Sequence, residues 1–118
     1  MAQTYADIDL DRPRKLCFRI QDLRELCRRL GGISIVGLLE KLGALDLDAV
    51  HVAVMVGLRQ EDRRLTAEKV DDLIQGYVDK HGSLVGLLTA LNDAIERSGV
   101  VRRREEDSPP GEGRPATA

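Results

Sequence analysis

The chain has 118 residues, which suits one domain with a single modest core. Its formal net charge of −2 supplies no overall attraction to nucleic acid or to an anionic membrane. One Phe, two Tyr and no Trp leave few platforms for stacking bases or sugars, which argues against a single-strand nucleic-acid binder.

The N-terminal "MAQTYADIDLDRPRK" has no apolar h-region, so no signal peptide is expected, and no apolar run approaches the length of a membrane span. Cys17 and Cys27 therefore read as reduced thiols, and the expected location is the cytoplasm. In "ADIDLD", Ala6, Ile8 and Leu10 share one face opposite Asp7, Asp9 and Asp11. In "KLCFRI", Leu16, Phe18 and Ile20 lie opposite Lys15, Cys17 and Arg19. Period-two patterning predicts two half-buried strands joined at "RPR". Matching the apolar faces predicts a three-residue loop, Arg12–Arg14, pairing Leu10 with Leu16, Ile8 with Phe18 and Ala6 with Ile20. The outer face would then set Asp11 against Lys15 and Asp7 against Arg19.

The remainder reads as helix. Leu23, Leu26, Cys27 and Leu30 fall on one helical face, with Glu25 spaced to meet Arg28 and Arg29, and Gly31–Gly32 end the run. "ISIVGLLEKLG" predicts a short second helix, capped by Ser34 and stopped by Gly43. In "LDLDAVHVAVMVGL" the valines favour a strand, but the intervening Ala53 and Met55 are apolar and Asp46 and Asp48 stand at its start. A helix buried on most sides is expected, ending at Gly57. Thr66 caps a fourth helix with the stripe Val70, Leu73, Ile74, Tyr77 and Val78, closed by Gly82. Ser83 caps a fifth, packed through Leu84, Leu87, Leu88, Leu91 and Ile95 and ended by Gly99. The fold class is therefore α+β, mostly α: an N-terminal β-hairpin followed by a bundle of about five short helices. Residues 1–100 form this domain. Residues 101–118 are basic, then acidic, then rich in Pro and Gly, and read as a disordered tail.

The sequence offers no catalytic constellation. His51 and His81 have no metal-site spacing, and Cys17 and Cys27 lack a second pair. His81 suits a helix C-terminus as a cation. Asp71 and Asp72 are neighbours and project about 100° apart on a helix, so they read as a solvated face. No phosphate-binding glycine loop or nucleophile elbow occurs. Arg28–Arg29 and Arg102–Arg104 lie beside acidic residues, which fits a solvated surface better than a nucleic-acid footprint. No cofactor is expected, and an interaction or assembly protein is favoured over an enzyme.

The hairpin leading into "FRIQDLRELCRRLGG", and the apolar helix ending in "GLRQEDRRLTAEKVDDLI", resemble the small tail assembly chaperones of long-tailed bacteriophages and gene transfer agents. The matching positions are Leu26 and Gly31, then Gly57, Leu58, Arg59, Glu61, Asp62, Leu65, Thr66, Glu68 and Val70, within a similarity spanning roughly residues 5–98. Lys69 departs from the pattern, where a second Glu is common, and so do Gln60 and Arg63. The resemblance implies a non-enzymatic, self-associating protein of the bacterial host cytoplasm. It would coat the tape measure protein, help recruit tail tube protein and be absent from the finished particle. Two alternatives stand beside it: a structural tail or head–tail component, and a small nucleic-acid-binding regulatory domain. The second needs a basic recognition helix that the sequence does not show. The charged loop Arg59–Arg64 is expected to be solvated in the monomer, serving as a subunit contact or as a fold-defining corner. Arg59, Glu61, Asp62 and Leu65, with Leu16 and Phe18 of the hairpin, are the candidate interaction residues.

Overall fold

A computed structural model describes residues 4–100; residues 1–3 and 101–118, including the segment read as a disordered tail, lie outside the described residues. Two strands, β1 (Tyr5–Asp9) and β2 (Pro13–Cys17), precede five helices: α1 (Ile20–Arg29), α2 (Ile35–Gly43), α3 (Leu47–Leu58), α4 (Ala67–His81) and α5 (Val85–Arg97). The α+β, mostly α architecture expected from the sequence is the one observed.

Helix α3 lies at the centre, packing against β2, α1, α2, α4 and α5. Its valines do not make it a strand, because it is apolar on most sides and as a helix buries Val50, Val54 and Val56 fully and Val52 in part. Asp46 caps it, accepting from the Ala49 N–H at 3.2 Å. Ala49 and Ala53, both fully buried, let neighbouring helices approach. Ser34 and Thr66 cap α2 and α4 in the same way, accepting from Gly37 and Lys69. Gly82 ends α4 in the left-handed region, at φ 82°, a conformation that favours a residue without Cβ.

The hairpin departs from the expected register. Ala6 pairs with Leu16, Asp7 with Lys15, Ile8 with Arg14 and Asp9 with Pro13, so the three-residue loop is Leu10–Arg12 and not Arg12–Arg14. The parity of the faces is as expected, but the strands are displaced by four residues. The cause lies downstream. Arg19 is already the N-cap of α1, with its N–H donated to Asp22 Oδ2 at 3.0 Å, so β2 must end at Cys17. Phe18 is buried beyond the strand and Ile20 opens a helix, 58% exposed, in place of pairing with Ala6. The shift also puts Arg14 on the inward face, beside Ile8 and Leu16.

Three helix ends also differ. Gly43 is the last residue of α2, and the left-handed position after it belongs to Leu45, at φ 61°. Leu84 stands at the N-cap of α5, and Ser83 only accepts from Val85 N–H at 3.4 Å. Gly57 does not end α3, which continues through Leu58. It is the point where the hairpin touches the helix: a Cβ there would lie 2.9 Å from both Leu16 Cδ2 and Phe18 Cζ.

Gly57→Ala should therefore destabilise the fold by about 1–3 kcal/mol through overpacking, more than the roughly 1 kcal/mol gained in helix propensity. Gly76→Ala in α4 meets nothing within 4 Å and should stabilise by up to about 1 kcal/mol. Urea unfolding of the two variants checks the pair; equal shifts would contradict the close approach at residue 57.

Candidate interaction site

The loop between α3 and α4 was expected to be solvated. It is instead held by ion pairs to the hairpin and to α1. The loop turns tightly after Leu58, whose carbonyl accepts from the N–H groups of Glu61 at 3.0 Å and Asp62 at 2.9 Å. Asp62 Oδ1 then accepts from the Arg64 N–H at 3.0 Å, an Asx-type turn that fixes its carboxylate.

Two clusters result. In the first, the Arg14 side chain is buried, with the residue only 4% exposed. It forms a two-pronged pair with Asp11, Nε to Oδ1 at 2.7 Å and Nη2 to Oδ2 at 3.0 Å. Its Nη1 donates no hydrogen bond but lies 3.5 Å from Asp62 Oδ2 and 3.7 Å from Glu61 Oε1. Coulomb attraction from two loop carboxylates thus balances a guanidinium that the strand register has buried. In the second cluster, Arg59 grips Glu25 with both terminal nitrogens, Nη1 to Oε2 at 3.0 Å and Nη2 to Oε1 at 2.8 Å, and reaches Asp22 Oδ1 at 3.1 Å. Asp22 also caps α1, so one carboxylate joins the start of α1 to the end of α3.

The electrostatics follow the geometry. The Arg14 hydrogen bond lowers the Asp11 carboxyl to about 2, against partial burial that opposes the shift. The Asp62 carboxyl is lowered first by the Arg64 N–H and then by Arg14. Glu25 is lowered by Arg59, with a smaller effect from Arg29. Arg14 and Arg59 are raised in turn, chiefly by their bonds to Asp11 and Glu25.

The residues singled out from the sequence divide accordingly. Arg59, Glu61 and Asp62 come together as an intramolecular corner, and Leu65 packs partly buried against the core. Leu16 and Phe18 are core residues under the hairpin, 0% and 2% exposed, and present no surface in the monomer. Sequence reasoning missed Arg14 as a participant, although its parity with Leu16 was a readable signal. It also missed the 2.7 Å contact of His51 Nδ1 with Asp71 Oδ1, which bridges α3 and α4 across twenty residues. Among the described residues, no three His, Cys, Asp or Glu side chains are placed to hold a metal ion, and no helix is long and apolar enough to cross a membrane.

Reversing both charges, Glu61→Lys with Asp62→Lys, sets two cations beside buried Arg14 and should lower the thermal midpoint clearly. Arg63→Glu in the same loop touches no ion pair and should leave the midpoint within about 0.5 kcal/mol of stability. An unchanged midpoint in the double variant would show that the corner does not hold the fold. The pH dependence has a fixed sign. Asp11, Glu25 and Asp62 have folded values below their unfolded ones, near 3.9 for Asp and 4.3 for Glu. Their contribution is complete above about pH 5 and is lost as the carboxyls protonate on acidification, that of Asp11 as pH falls through about 2. Thermal melts between those limits should therefore show a falling midpoint. The gap between the wild type and Asp11→Asn should close as pH 2 is approached.

In comparisons with known proteins, no family model, no curated protein and no solved structure matches this chain.

Proposed function

We propose that the chain is a non-enzymatic tail assembly chaperone of a phage, prophage or gene transfer agent. In this reading it binds tape measure protein in the bacterial cytoplasm, self-associates and helps recruit tail tube protein. The observation that carries the reading is how the family-like segment is used. The "GLRQEDRRLTAEKV" punctuation corresponds to a corner in which Gly57 seats the hairpin, Arg59 clamps α1, Glu61 and Asp62 balance Arg14, and Thr66 starts α4. A pattern shared for such reasons is one of architecture, so partner binding is assigned to other surfaces. Apolar side chains stand exposed at the starts of four helices: Ile20, Val36, Leu47 and Val85. Each offers roughly 1–2 kcal/mol if a partner buries what remains exposed.

The test is co-expression with a phage tape measure protein, followed by affinity capture and calorimetry. A soluble complex is expected, together with the absence of this chain from purified particles by mass spectrometry. A soluble tape measure fragment that does not bind would overturn the reading, and recovery of the chain in finished particles would favour a structural tail component.

A further inference from the structure

One face of α1 carries a groove of about 410 Å³, walled on one side by Ile20, Leu23 and Cys27 and on the other by Ile33 and Ile35, with Val100 at its edge. Ile20, Leu23 and Cys27 follow i, i+3, i+7 spacing, so they form one apolar row along the helix. From Ile20 to Cys27 the row is about 10 Å long, close to two turns of a second helix.

The rim is basic and uncompensated. Arg24 and Arg28 line the same groove four residues apart on an exposed face. Like charges at that spacing repel. Neither pairs with a carboxylate among the described residues, whereas Arg12, Arg14, Arg29, Arg59 and Arg97 all do.

We propose that this groove docks one amphipathic helix of a partner protein, apolar on the face it buries and acidic on the flanks that meet Arg24 and Arg28. The proposal deepens the assembly reading and rests on it for the partner being another protein. Helix-in-groove recognition needs an apolar row of this length with charges to set orientation. The acidic flank relieves the repulsion between the two arginines, and Ile20 loses its exposure to water. Cys27, half-buried in the groove, is a built-in reporter: burial raises its thiol, and a docked helix would shield it from reagents.

The probes are two synthetic helical peptides of about 20 residues, long enough to hold a helix. They share a Leu row at i, i+4, i+7 and carry either Glu or Lys on its flanks. In fluorescence anisotropy with the full chain, the Glu peptide should bind at least tenfold more tightly than the Lys peptide. Arg24→Glu with Arg28→Glu should reverse that order, and Ile20→Asp should weaken both. With the Glu peptide bound, Cys27 in a Cys17→Ser background should react several-fold more slowly with a maleimide. Circular dichroism confirms that each variant is folded. Equal binding of the two peptides, or a preference that survives the arginine reversal, overturns the proposal. So does a dimer in sedimentation that Ile20→Asp abolishes, because a second copy then fills the groove. A tenfold gain in affinity on neutralising Glu105, Glu106 and Asp107 assigns the groove to the chain's own tail and overturns it likewise. Peptide binding without tape measure binding leaves the groove standing and sinks the assembly reading. Tape measure binding that ignores Ile20→Asp and the arginine reversal does the opposite.

Discussion

The hairpin lies closest on α3 where residue 57 has no side chain. Leu16 and Phe18 occupy the space that a Cβ would need, and this contact fixes the depth at which the sheet meets the helical layer. At that depth β2 carries Arg14 into the interior. A buried guanidinium without carboxylates would cost several kcal/mol. The chain supplies Asp11 from the hairpin loop and Glu61 and Asp62 from the turn that follows α3. Gly57 and these two acids are separated by only a few residues, so one short segment both admits the hairpin and balances its charge.

Much of the architecture was legible because it rests on local chemistry. Ser34, Asp46 and Thr66 cap their helices through side-chain oxygens, and the stripes on α1, α4 and α5 follow helical spacing. The valine-rich α3 was readable from its acidic start and its lack of polar alternation. The hairpin register was not legible, although its parity was. Parity depends on neighbours along a strand, but register depends on where the next element takes the chain over. Here Asp22 does so by capping α1 at Arg19, a residue that the expected pairing kept within the strand. Gly57 was misread for a related reason: a glycine near a helix end has the same sequence signature whether it stops the helix or admits a neighbour.

The charged loop shows the same limit. Arg59, Glu61 and Asp62 look solvated in sequence, since their partners lie on α1 and on the hairpin, far away along the chain. Once folded, this acidic and basic material is spent within the monomer. Arg24 and Arg28, beside the apolar side chains of the α1–α2 groove, are among the charges left without an ion pair. The four-residue displacement of the hairpin connects the two surfaces, because it buries Arg14 at the corner and releases Ile20 to the groove.

The order of synthesis gives one contact a particular weight. Helix α5, the last of the described elements, packs on both β1 and β2, the first two of them. The apolar face of the hairpin, which meets α3 on one side, therefore stays only partly covered until the ribosome has made α5. About 80 residues separate Cys17 from Arg97, so at ordinary elongation rates the delay is roughly 4–16 s. During that interval the nascent chain presents a sheet whose α5 side is bare. A chain terminated before Val85 never closes it, so premature stops in this gene should yield aggregation-prone fragments in place of partly active ones.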